Sequence, residues 1–208
     1  MIAELAARTR DLAHRPGRAL LGITGAPGSG KSTVGIELAE RLRSDGVTVV
    51  LVPMDGFHFT QDELVERGVR DVMGRIDTFD AEGYLALLRS LRDDEGRTIA
   101  APDFDRTVEE PVADAIHVGP DVKLVITEGN YLLDDEPPWP DVRATLDEVW
   151  FVETDEATRL ERLLARHVEF SKTENEARRW IERVDEPNAR RIRATRDRAD
   201  LVVDLTRV

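Results

Sequence analysis

Short runs of Val, Ile and Leu alternate with stretches that are apolar at every third or fourth residue along nearly the whole chain. Near-continuous apolar runs suit strands buried on both faces, and the helical period between them suits crossovers that join such strands in parallel. The pattern predicts strands over residues 19–24, 47–52, 123–128, 148–152 and 201–205, and a short strand over 98–101. It predicts helices over 32–44, 81–93, 155–168, 173–184 and 187–198. The opening MIAELAARTRDLAHRPGR has helical period and no uninterrupted apolar centre or small-residue cleavage site, so it predicts an amphipathic helix rather than a leader. The expectation is an α/β fold, a parallel sheet flanked by helices on both faces, as a single domain over 1–208.

Two segments depart from this rhythm. Residues 53–80 have no clean period and are longer than a usual connection between a strand and a helix, which marks them as a functional insertion. The stretch DDEPPWPD at 134–141 is rich in proline and predicts a plain surface connector.

Composition narrows the function. A chain of 208 residues, 41% hydrophobic, can bury one sizeable core. Its net charge of -13 repels nucleic acid and anionic membranes, so neither is an expected partner. With no cysteine, thiolate metal sites, disulfides and cysteine nucleophiles are excluded, and no apolar run is long enough to span a bilayer. A cytoplasmic location is expected. The charge is uneven: residues 155–198 hold twelve Lys or Arg against ten Asp or Glu, while the remainder carries a net -15. A polyphosphate ligand would need that cationic region.

The strongest chemical signal is Gly25-Ala26-Pro27-Gly28-Ser29-Gly30-Lys31-Ser32, followed by Thr33. It matches the phosphate-binding loop G-x-x-x-x-G-K-[ST], directly after a predicted strand and before a predicted helix. Glycines let the backbone wrap so that amide groups and the helix N-terminus face the phosphates. Lys31 supplies charge to the β- and γ-phosphates of ATP, and the Ser32 hydroxyl is placed for Mg²⁺. The fold expected is therefore that of a P-loop NTPase.

In parallel sheets ligands gather beyond the carboxyl ends of the strands, where Asp55 and Glu128 both fall. Phosphoryl transfer needs one carboxylate to take the proton of the attacking hydroxyl and another to hold Mg²⁺. Asp55, on the strand after the P-loop helix, is assigned the first role and Glu128 the second. Further along, Arg159, Arg162 and Arg166 share a helix face, with Leu160, Leu163 and Leu164 turned toward the sheet. Glu161, Glu169, Glu174 and Glu176 stand nearby as ordinary partners for those arginines. Trp180 is spaced with Ala177 and Val184 for packing rather than for stacking on a base.

The motifs PMDGFH at 53–58, DTFD at 77–80, APDFDR at 101–106, EEPV at 109–112, EGNYLL at 128–133 and PNARRI at 187–192, together with the P-loop, resemble the phosphoribulokinase and uridine kinase family. The pantothenate kinase-like or fructose transport system kinase branch is the nearest in flavour. The resemblance implies Asp55 as catalytic base, Lys31 and Ser32 on phosphate and magnesium, and Glu128 as the second acid. It places His58, Asp103, Arg106, Asn130 and Tyr131 near the acceptor. It also implies a helical lid, roughly 159–186, whose Arg162 and Arg166 close on the transferred phosphoryl. Relatives of this kind are often homo-oligomers. The chain departs from the pattern at Arg75-Ile76-Asp77, which lacks a proline before the Asp, and at Ser171, where a glycine is the usual residue.

The function expected is ATP-dependent transfer to a hydroxyl of a nucleoside, pantothenate or a sugar-type acceptor. The alternative is a non-catalytic or regulatory nucleotide-binding protein of the switch type. Its guanine-reading Asn-Lys-x-Asp is absent, and Asp93-Asp94-Glu95-Gly96, which fits the switch Asp-x-x-Gly, sits at a helix end.

Overall fold

The computed structural model describes residues 1–93, 96–170 and 172–207, so Ser171 and the centre of the 93–96 stretch lie outside the described residues. Its elements run α1 (Ile2–Ala13), β1 (Ala19–Thr24), α2 (Lys31–Ser44), β2 (Val49–Pro53), α3 (Gln61–Glu66), α4 (Ala81–Asp93), β3 (Ile99–Asp105), β4 (Glu110–Val118), β5 (Leu124–Glu128), α5 (Trp139–Thr145), β6 (Glu148–Glu153), α6 (Glu156–Glu169), α7 (Glu174–Trp180), α8 (Glu186–Arg193) and β7 (Leu201–Asp204). Strands pair in the order β2-β5-β1-β6-β7, and every pairing is parallel.

Because side chains alternate across a strand, each central strand feeds two cores. On β1, Leu20 joins the core built by α4, α5 and α8, while Leu21 and Ile23 join the core built by α1 and α2. On β5, Val125 and Ile126 divide in the same way. Thr127 would leave a hydroxyl in the first core. It is satisfied twice, donating to the Val52 carbonyl at 2.6 Å and sharing a 2.6 Å hydrogen bond with the Tyr84 hydroxyl.

Three expectations are corrected. The strand sought at 98–101 runs on to Asp105 and pairs antiparallel with β4, a strand the sequence pattern did not reveal. Most of β4 is exposed, so it lacks the apolar alternation that marks a strand with one buried face. The register shifts between Ala101 and Asp103, where Pro102 cannot donate to a ladder. Second, 134–141 is no plain connector. Asp134 is buried beneath Arg191, which donates to both its oxygens at 2.6 and 2.8 Å. Trp139 opens α5 and stacks its ring against Tyr84 and Tyr131 in the core. Third, the helices expected over 173–184 and 187–198 are not separated: α7 continues through a wider helical turn at Ile181–Asp185 directly into α8, which ends at Arg193. Pro187 has no amide hydrogen for the carbonyl four residues back, which favours that widening.

The 53–80 insertion closes on itself. Its two limbs meet as a bridge between His58 and Phe79, with Asp80 donating to the Phe57 carbonyl at 2.7 Å. Between the limbs stands α3, started by a capping box of Thr60 and Glu63.

Replacing Trp139 with alanine is expected to cost about 3–5 kcal/mol, as for a large aromatic removed from a core. Urea unfolding measures this, and a change below about 0.5 kcal/mol, the size for an exposed connector residue, would contradict the buried placement.

Candidate functional site

The loop after β1 is shaped by glycines that no other residue could replace without displacement. Gly28 has φ of +81°, and a Cβ there would lie 2.6 Å from the Arg159 carbonyl of α6. Gly30, the N-cap of α2, has φ of +95° and faces the Arg162 guanidinium. The helix α2 therefore starts directly behind the loop, with its first amides unpaired along the helix and aimed outward. Gly28, Gly30, Lys31, Ser32 and Thr33 line a cavity of about 450 Å³ shared with Arg106, Arg162, Arg166, Glu169 and Phe170. Ala26 and Ser29 line a separate cavity of about 380 Å³ behind the loop, with Glu153, Arg193 and Arg196. Gly25 and Pro27 complete the turn, and the Pro27 carbonyl accepts from Arg159 at 3.1 Å.

The acids arrive through strand register. Glu128 closes β5 opposite Ile23 on one side and Pro53 on the other. Its Oε1 accepts from the Ser32 hydroxyl at 2.8 Å, while Oε2 is buried with no partner. Burial raises the Glu128 carboxyl above its ordinary range, and Lys31 opposes that shift. A hydroxyl and a carboxylate with a spare, buried oxygen form a donor set that fits a hard cation keeping water and phosphate oxygens as its other ligands. Lys31 is buried, and burial lowers its pKa against the pull of Glu128 and Asp55.

Asp55 stands in a short turn, Met54–Phe57, just past β2. Its Oδ2 accepts from Arg106 at 2.6 Å. Burial pushes its carboxyl up, but Arg106, His58, Lys31 and Arg166 together hold it below the ordinary value. The two acids thus sit in environments that push their pKa values apart, the usual mark of a division of roles.

Asp55 and Glu128 share a second cavity of about 370 Å³ with Ser32, Ile36, Leu51, Pro53, Asp103, Phe104, Arg106 and Ile116. Of the residues sought near the acceptor, Asp103 and Arg106 line it directly. His58 does not. Its ring packs against Phe79 and Phe104, and its Nδ1 hydrogen donates to the Asp55 carbonyl at 2.9 Å, which steadies the turn that carries Asp55. Burial lowers the His58 pKa, and Asp55 opposes that shift. Asn130 presents its carbonyl to the Thr24 hydroxyl at 3.0 Å, leaving its own side-chain oxygen buried without a partner. Tyr131 is misplaced by the sequence reading: it is buried in the core against Phe79 and Trp139, and its hydroxyl donates to the Gly74 carbonyl at 2.7 Å.

The arginine stripe on α6 divides. Arg162 and Arg166 face the P-loop cavity beside Lys31. Arg159 turns inward, 2% exposed, where Glu156 and Glu186 take its charge and the Pro27 carbonyl takes one of its hydrogens. It is a strut between α6 and the P-loop. Leu163 packs beside Gly28, whereas Leu160 and Leu164 line a groove with Ile181 instead of meeting the sheet. Glu174 is occupied by Arg178, and Glu176 closes the capping box of α7. Trp180 lies between Lys172 and Arg183, with the buried Ala177 and Val184 on the same stretch of helix.

Sequence reasoning missed Ile116, Leu51 and Ile36, which with Phe104 of the 103–106 segment form the apolar wall of the Asp55 cavity. One signal was available. Ile36 lies out of phase with the buried Val34 and Leu38 and is 49% exposed, so its apolar side chain is not explained by the core.

The chain matches the family model for the phosphoribulokinase and uridine kinase family over residues 20–208. A candidate uridine kinase of Schizosaccharomyces pombe is 37% identical over 192 residues, covering 88% of this chain and 80% of that protein. A uridine kinase of Leuconostoc citreum is 32% identical over 151 residues, covering 72% and 69%. Among solved structures, that of a candidate fructose transport system kinase from Silicibacter sp. TM1040 superposes with a TM-score of 0.89 at 36% identity, covering 98% of each chain. Among the described residues no helix is long and apolar enough to cross a membrane. With a P-loop fold, a family match over residues 20–208 and relatives of this similarity, the chain belongs to the phosphoribulokinase and uridine kinase family of ATP-dependent phosphotransferases that act on hydroxyl groups.

Proposed function

We propose that the protein transfers the γ-phosphoryl group of ATP to a hydroxyl of a small acceptor of the nucleoside, pantothenate or sugar type, with Asp55 as base. The observation that carries this reading is the placement of Asp55 and Glu128 on one cavity with Ser32, beside the phosphate-side cavity that holds Lys31. An acceptor in the first cavity and a triphosphate in the second would meet at Ser32 and Arg106, which line both. Asp55 takes the hydroxyl proton, the acceptor oxygen bonds to the γ-phosphorus, and the bond to the β,γ-bridging oxygen breaks with its electron pair leaving on ADP.

Ser32 and Glu128 would hold Mg²⁺, which when bound supplies positive charge against the phosphate oxygens. The unpartnered Oε2 of Glu128 supports this assignment, since a buried carboxylate oxygen with no donor is costly unless a ligand completes it. Lys31, Arg162 and Arg166 surround the transferred group with cations, and closing α6 and α7 over it would exclude water that otherwise hydrolyses ATP.

Purified Asp55→Asn is expected to bind ATP with wild-type affinity by calorimetry and to lose transfer by about 10²–10⁴-fold, the usual range for a general base. Full activity in that variant would remove Asp55 from the base role. Glu128→Gln is expected to raise the Mg²⁺ concentration needed for half-maximal ADP release by tenfold or more, on the order of one lost charged ligand. An unchanged Mg²⁺ requirement would assign the metal to other groups.

A further inference from the structure

Arg106 is the cation on the acceptor side of the cleft. It lies just past the end of β3, in the turn of the hairpin, and its Nη2 donates to Asp55 Oδ2 at 2.6 Å. A carboxylate that accepts a charge-assisted bond from a guanidinium is a weaker base, because the bond favours its ionised form. The resting arrangement thus ties up one oxygen of the group that must accept a proton. The pair is open on its cationic side: the Arg106 side chain is 41% exposed and that of Asp55 20%. An anion entering from that side can compete for the guanidinium by offering it a second carboxylate, and a neutral acceptor cannot.

The surroundings limit what that anion can be. Asp103 and Glu128 line the same cavity as Asp55, so a dianionic phosphate would meet three carboxylates with one arginine to answer them. A single carboxylate matches a single planar guanidinium. Ile36, Leu51, Phe104 and Ile116 offer a wall for a short carbon skeleton. The other cations of the site, Lys31, Arg162 and Arg166, belong to the phosphate-side cavity, which Arg106 also reaches.

We propose that the acceptor is a small hydroxy carboxylic acid whose carboxylate takes Arg106 away from Asp55, so that substrate binding itself frees the base. The proposal rests on the reading of Asp55 as base, and it narrows the acceptor to acids, setting neutral nucleosides and sugars aside. No extra reactant is required. The acid's hydroxyl loses its proton to Asp55, its oxygen becomes the phosphate ester, and its carboxylate stays ionised throughout.

The test measures coupled ADP release with matched pairs: pantothenate and panthenol, gluconate and glucitol, glycerate and glycerol, with uridine and glycerol 3-phosphate as the neutral nucleoside and phosphate arms. At least one acid should exceed its neutral partner by tenfold or more in kcat/KM, the scale of one hydrogen bond to a charged group. Arg106→Gln should abolish that preference by raising the KM for the acid, with the KM for ATP changed less than about twofold, and Arg106→Lys should restore part of it. Preference for uridine, a neutral polyol or the phosphate arm overturns the proposal while leaving the kinase reading intact. A rise in the ATP KM alone in Arg106→Gln also overturns it, by assigning Arg106 to the nucleotide. ADP release that no acceptor accelerates overturns the kinase reading, and this proposal with it. Because Arg106 is exposed, its variants should keep the wild-type melting temperature, and calorimetric titration of the preferred acid into Arg106→Gln reports the lost affinity without turnover.

Discussion

The register of three parallel strands is the constraint on which the rest of the structure depends. With β5 held between β1 and β2, Glu128 stands level with Ile23 and Pro53. The three strands therefore release their chains side by side: one into the P-loop, one into the buried acid, one into the turn that carries Asp55. A slip of one residue on β5 would turn Glu128 from one face of the sheet to the other and break its bond to Ser32. The hydrophobic division of the two cores prevents such a slip, because it would also send Val125 and Ile126 to the wrong sides. Site geometry and core packing are thus protected by the same alternation.

A second layer of order comes from the approach of α6 to the loop. Gly28 admits the backbone of α6, and Arg159 spans the gap to the Pro27 carbonyl with its charge answered by two glutamates. A buried arginine held by several bonds fixes a distance better than it adds stability. Its consequence is that Arg162 and Arg166, one and two turns later, are set on the cavity that Lys31 lines. The helix α6 is anchored near its N-terminus and cationic where it borders that cavity.

The hairpin of β3 and β4 anchors its base in one core through Ile99, Ala101 and Val118, and it supplies Asp103, Phe104, Arg106 and Ile116 to the cavity that Asp55 lines. Its tip is tied down elsewhere. Gln61 reaches the Glu109 carbonyl, and Glu109 accepts from Arg70 at 2.8 Å and lies 3.7 Å from Lys172. The outer wall of that cavity is therefore built from pieces that stand apart from the parallel sheet, where substitution disturbs the sheet least. In a family whose members act on different hydroxyl compounds, that separation allows the cleft to vary while the phosphate machinery stays.

Most of the architecture was written in local patterns. The limits of β1 and α4 coincide with those the apolar rhythm predicts, and the P-loop declared itself because backbone chemistry demands glycines at fixed spacing whatever surrounds them. Asp55 and Glu128 could be found for the same reason: a strand end is a local feature, and parallel sheets put ligands there. What needed the tertiary structure was everything decided by contact between distant segments. An exposed strand such as β4 has no apolar signature, because its partner satisfies its backbone and little asks its side chains to be buried. Tyr131 and Trp139 follow polar, loop-like neighbours yet fill the core, and Arg159 shares a helical stripe with two arginines that line the P-loop cavity yet faces inward. Periodicity says which residues share a face; only packing decides what that face meets. The pairing of Arg106 with Asp55 joins residues 51 positions apart, and no local rule could have foreseen it.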